Sequence, residues 1–134
     1  MTVGPAAAYH PQTVAVFSFR GSDSSDDALG SGIRDTLRAR IGNLQDVELR
    51  PARYAAPDDV LIAGREADAD VVFTGSVQRN EGRVRVAVEM VDVKHERVVW
   101  GQTFDYNDPN RFEVQDAIAG EVLKVLGKRG FRKV

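Results

Sequence analysis

Val71-Val72-Phe73-Thr74-Gly75-Ser76-Val77-Gln78 runs through Arg79-Asn80-Glu81-Gly82 into Arg83-Val84-Arg85-Val86-Ala87-Val88-Glu89-Met90. The last piece alternates without a fault. Val84, Val86, Val88 and Met90 point one way, and Arg83, Arg85, Ala87 and Glu89 the other. Such alternation marks a strand with one buried face. The four residues between the runs end in Gly82, which suits the left-handed position of a three-residue hairpin loop. A second turn, Lys94 to Glu96, leads to a strand over Val98 to Tyr106. There Val98, Trp100, Phe104 and Tyr106 fall on one face, with Gln102 among them. Val71 to Tyr106 is therefore expected to form a three-stranded antiparallel unit, with Trp100 buried against Met90 and Phe104.

Upstream, Thr13 to Phe19 is apolar on both faces, as in a central strand covered on both sides. The loop Arg20 to Asp27 is rich in Gly, Ser and Asp. A helix follows from Asp27 to Ile41, because Leu29, Ile33, Leu37 and Ile41 make one apolar stripe. Asp26 or Asp27 suits its start and Gly42 its end. A short strand is expected around Val47 to Arg50. A second helix starts near Pro57, with Asp58 and Asp59 at its positive end. It carries Val60, Leu61, Ala63, Gly64 and Ala67. A third begins at Asn107-Asp108-Pro109, with Phe112, Val114, Ile118, Val122, Val125 and Leu126 inside and Gly127 as its C-cap.

The order is β-α-β-α-β-β-β-α. The two β-α-β units require parallel pairing through right-handed crossovers. The expected fold is α/β: a mixed five-stranded sheet in the order 2-1-3-4-5, with strand four antiparallel. Helices one and two then lie on opposite faces, a topology like that of anticodon-binding domains. Residues 1–12 read as a linker, 13–127 as the domain and 128–134 as a basic tail.

A chain of 134 residues fits one domain. With 18 Lys plus Arg against 20 Asp plus Glu, its net charge is -2, which argues against a nucleic-acid binder. The absence of cysteine removes disulfides, thiol nucleophiles and cysteine-ligated zinc. No apolar run reaches the roughly 18 residues that a spanning helix needs, so membrane insertion by this segment is not expected. Residues 1–12 lack the basic and apolar regions of a signal peptide.

The ordered pieces Val14-Ala15-Val16-Phe17-Ser18-Phe19, Ala63-Gly64-Arg65-Glu66-Ala67-Asp68-Ala69-Asp70, Val71-Val72-Phe73-Thr74-Gly75-Ser76-Val77, Trp100-Gly101 and Phe112-Glu113-Val114-Gln115-Asp116-Ala117-Ile118-Ala119 carry a resemblance. Together with the Leu29 to Leu44 helix, they resemble the TolB N-terminal-like domain. That domain recurs beside tetratricopeptide repeats in bacterial adenylate cyclases, receptor-type kinases and membrane-anchored transcription activators. The resemblance covers Thr13 to Gly127. Ser18 departs from it, standing where the family usually has proline and leaving the first strand free to extend by one hydrogen bond. The resemblance implies an accessory module of an envelope or signalling protein, extracytoplasmic by that resemblance with a cytoplasmic place as the alternative, with a protein partner, no cofactor and no catalytic residue.

The residues themselves offer no reaction centre. The loop after the first strand lacks the Walker lysine and Gly-x-Gly-x-x-Gly spacing, and its aspartates would repel a phosphate. No metal-ligand spacing is present there, and acids at a helix start serve as caps. His10 and His95 stand alone, and Ser76 lacks a nucleophile elbow. Arg79, Arg83 and Arg85 form a basic strip that Glu81 and Glu89 interrupt. The leading expectation is a non-catalytic protein-protein or ligand-sensing module. The alternatives are a nucleic-acid-binding domain and a small enzyme. In a mostly parallel sheet, ligands favour the carboxyl ends of strands at the switch in strand order. Arg20, Ser22, Asp23, Ser24 and Ser25, with Gln78 and Arg79, are therefore the expected binding residues.

Overall fold

The computed structural model describes residues 12–21, 23–52 and 59–128. The elements in chain order are β1 (Gln12–Val16), β2 (Arg20–Gly21), α1 (Ser24–Ile41), β3 (Val47–Leu49), α2 (Val60–Glu66), β4 (Val71–Asn80), β5 (Arg83–Asp92), β6 (Arg97–Asn107) and α3 (Arg111–Lys128). The expected start of α2 at Pro57 and the basic tail beyond Lys128 lie outside the described residues, as do residues 1–11 of the expected linker. Gln12 is already in β1.

The sheet has six strands, so the expected order of five needs correction. The main path is β3-β1-β4-β5-β6, and β2 pairs with β4 beside it. β1 is parallel to β3 and β4, whereas β5 is antiparallel to both β4 and β6. The sixth strand arises where the apolar run from Thr13 breaks. Phe17 N–H still donates to Phe73 O at 3.0 Å, but Phe19 N–H turns to Gly30 O at 3.4 Å. A Cβ on Gly30 would lie 2.0 Å from Phe19 O, so strand end and helix meet backbone to backbone. The chain then rejoins the sheet, Arg20 beside Ser76 and Gly21 beside Val77. Ser18 lies buried in the break and does not lengthen β1.

Alternation sorts the core into two layers. On one side Val14, Val16, Phe73, Val77 and the inward set of β5 pack against the stripes Leu29-Ile33-Leu37-Ile41 of α1 and Val114-Ile118-Val122-Leu126 of α3. On the other, Ala15, Phe17, Val72, Val91 and Val93 pack with Ala63 of α2. Gly64 allows close approach, since a Cβ there would sit 2.7 Å from a Val93 methyl. Helices thus cover both faces, but α2 is short. Beyond it Arg83, Arg85, Glu89, Gly101, Thr103 and Asp105 are exposed.

Several local expectations change. Asp23, not Asp26 or Asp27, caps α1, its side chain accepting from Asp26 N–H. Gly42 ends that helix, but in a right-handed conformation (φ -61°). The β4–β5 loop has two residues, not three. Glu81 (φ 50°) and Gly82 (φ 81°) connect the Asn80–Arg83 pair, the doubly left-handed turn that matches strand twist. In β6, Met90 pairs with Trp100 but Val91 with Val98, a β-bulge that places Val99 between. Val98 therefore leaves the Trp100 face and is 52% exposed, and Trp100 is only half-buried. Asn110, not Asn107 or Asp108, caps α3 by accepting from Phe112 N–H at 2.8 Å. That start turns Phe112 out of the inner stripe, and it is 64% exposed. Gly127 lies within α3 rather than past its end.

Candidate recognition face

The switch in strand order falls between β1 and β4, as strand polarity requires. The chain itself fills the crevice expected there: β2 lies against β4 and Phe19 enters the core. The acidic loop residues turn inward to backbone donors. Asp23 accepts from Asp26 N–H, and Asp27 accepts from Gly21 N–H at 2.9 Å. Asp26, fully buried, accepts from Arg79 Nε at 3.0 Å and fastens the start of α1 to the end of β4. Ser24 and Ser25 are exposed in the first turn of α1, and Ser22 lies outside the described residues. Arg20 is exposed on β2 beside Ser76.

The open concavity lies one step further along the sheet. It encloses about 490 Å³ at the β4–β5 hairpin and is lined chiefly by Gln78, Arg79, Asn80, Arg83, Arg85 and Asp105. Gln78 and Arg79 thus join the site, whereas Asp23, Ser24 and Ser25 are not among its lining. The register explains the assembly. Gln78 faces Arg85, which faces Asp105, and Asn80 faces Arg83, which faces Asn107. These are two adjacent cross-strand rows on the face away from α1 and α3. Arg83, Arg85 and Asp105 were not among the expected binding residues, although the strict alternation of β5 already puts both arginines on its outer face.

Arg85 meets Asp105 in a fork, Nε to Oδ1 at 2.7 Å and Nη2 to Oδ2 at 3.1 Å. That hydrogen bond, more than charge alone, holds the Asp105 carboxyl below the usual range and raises Arg85 further. Arg83 adds to the lowering of Asp105. Among the described residues Arg83 makes no ion pair within 4 Å. The aromatic residues of β6 face elsewhere: Trp100, Phe104 and Tyr106 pack on the inner core. Burial pushes the Tyr106 phenol up, and Glu121 of α3 adds to this.

His95 is exposed in the turn and pairs locally with Asp92. Its N–H donates to Asp92 Oδ1 at 3.0 Å, and its Nδ1 lies 2.8 Å from Asp92 Oδ2. The backbone bond chiefly lowers the Asp92 carboxyl against the opposing effect of partial burial. The pair locks the β5–β6 turn. Among the described residues no cluster of three metal-ligating side chains occurs, and no helix is long and apolar enough to cross a membrane.

No family profile matches the chain, and no curated protein matches it. Solved structures do. PelC from Paraburkholderia phytofirmans, a dodecamer, is similar over 84% of this chain and 86% of its own, with 26% identity and a TM-score of 0.57. TolB from Acinetobacter baumannii is similar over 87% of this chain but only 28% of its own, with 9% identity and a TM-score of 0.63. A Neisseria meningitidis lipoprotein is similar over 87% of this chain and 97% of its own, with 12% identity and a TM-score of 0.57. The chain therefore has a TolB-like α/β fold, the fold also of PelC and of a bacterial lipoprotein.

Proposed function

We propose that this chain is a non-catalytic protein-interaction module of a bacterial envelope system, acting outside the cytoplasm through the open face of β4, β5 and β6. The observation that carries this reading is the face itself. Three long strands present ordered polar side chains that no helix covers among the described residues, braced from behind by the α1 and α3 core. A rigid sheet with exposed, pre-oriented polar groups is suited to recognition. The likeness to PelC, a dodecamer, and to a lipoprotein supports an assembly role in the envelope. An accessory place in a signalling protein rests on the sequence resemblance alone.

Site-specific photocrosslinking in cells of the source organism tests this. A photoreactive residue at Thr103, at the middle of the open face, should give discrete protein adducts. The same residue at Asp35, exposed on α1, should not. Equal adducts at both positions, or none at Thr103, would refute an interaction role for the face.

A further inference from the structure

Taking the interaction face as its basis, we infer that the hairpin concavity binds an extended acidic segment of a protein partner, with carboxylates at alternate positions. Arg83 and Arg85 are two residues apart on one strand and share its outer face. Their Cα atoms are therefore about 6.8 Å apart, the spacing of same-face residues in any extended chain. A partner strand lying over β5 presents its own side chains with this period, so an acid-x-acid segment meets both guanidinium groups at once.

The two arginines are prepared differently. Arg85 is held from the side by Asp105 through Nε and Nη2, which leaves Nη1 to donate outward. Fixing a guanidinium beforehand removes much of the ordering cost of binding. Arg83 has its whole guanidinium donor set available, since among the described residues its side chain makes no hydrogen bond. Gln78 and Asn80 stand opposite Arg85 and Arg83 and add amide donors to each row. The third arginine, Arg79, turns to the opposite side of the sheet, where it is tied to buried Asp26 of α1.

The face favours peptide over single-stranded nucleic acid, whose phosphates have a similar spacing. Binding of single strands relies on aromatic platforms. The aromatic residues of β6 are turned to the core instead.

Fluorescence anisotropy at low ionic strength with the full chain tests the inference. The probes are labelled peptides of alternating Asp and Thr, an isomer with its aspartates in one block, an alternating Lys and Thr peptide, and oligothymidylate. The alternating acidic peptide should bind tighter than its blocked isomer. Arg83→Gln and Arg85→Gln should each weaken it about tenfold, as for loss of one charge-assisted contact. Lys124→Gln on α3 should leave it unchanged. Circular dichroism and melting temperature should match between variants, because both arginines are exposed. Equal binding of the two isomers, or binding insensitive to both arginines, overturns the proposal. Tighter binding of oligothymidylate would assign the site to nucleic acid instead. Failure here together with adducts at Thr103 would leave the interaction face standing with a partner of other chemistry.

Discussion

Gly30 and Gly120 both lie within helices, yet alanine should act on them in opposite directions. A Cβ at position 30 would lie 2.0 Å from the Phe19 carbonyl oxygen, whereas at position 120 nothing lies within 4 Å. Gly30→Ala should cost about 3 kcal/mol through overpacking. Gly120→Ala should add about 0.5–1 kcal/mol by favouring the helix. Urea midpoints read both, and an unharmed Gly30→Ala would refute the backbone contact that breaks the first strand. The Arg79–Asp26 pair belongs to the same scale. Removing one partner of a fully buried pair costs roughly 3–5 kcal/mol. Arg79 is 39% exposed, so solvent screening reduces the expected loss for Arg79→Met to about 2 kcal/mol. Combined with Asp26→Leu in a double-mutant cycle, the pair should show a coupling of about 1 kcal/mol. An additive double variant would mean that the two residues do not act as a pair.

Two elements of the meander carry further predictions. The β5–β6 turn is closed by Asp92, whose carboxyl is held below the usual range chiefly by the His95 N–H. A lowered acid stabilises the fold fully above its ordinary value of 3.8, and that stabilisation is lost as pH falls from there through the lowered value. Asp92→Ala should therefore be less stable than the parent at neutral pH by about 1 kcal/mol, a typical hydrogen-bond contribution. The gap should shrink in acid, as denaturant midpoints taken across that range would show. A gap that grows on acidification would contradict the sign. In β6 the bulge at Val99 leaves Trp100 half-buried. Its emission should lie between that of buried and fully solvated indole. Trp100→Ala should cost about 2 kcal/mol, less than the roughly 3–5 kcal/mol of a fully enclosed aromatic. A fully blue-shifted spectrum would place the ring deeper than the structure does.

At the scale of the molecule, a net charge of -2 sets the electrostatics. Oligonucleotides at physiological salt should bind no tighter than the non-specific range of roughly 10⁻⁴–10⁻⁶ M. A titration reaching submicromolar affinity, lost in Arg83→Glu, would make the nucleic-acid reading the better one. Much of the architecture was legible in the sequence. Period-two alternation, the glycine-marked turn at Gly82 and the polar turn at Lys94 to Glu96 gave the β4–β5–β6 meander, and fourfold spacing gave the stripes of α1 and α3. The β-α-β order dictated parallel pairing of β1 with β3 and β4. These signals are local, because each follows from the period of a single element. The break after Val16 was not legible, since Phe17-Ser18-Phe19 reads as a continuation of the strand. It depends on Gly30 approaching from another element. Nor was the bulge, which appears only when β6 is laid against β5 and Val91 meets Val98. The candidate face divides the same way. Alternation along β5 determined by itself that Arg83 and Arg85 share an outward side. Only the tertiary structure added Asp105 as the clamp, tied Arg79 to Asp26 and filled the expected crevice with β2, because cross-strand partners and buried charge pairs join residues whose separation in sequence carries no signal.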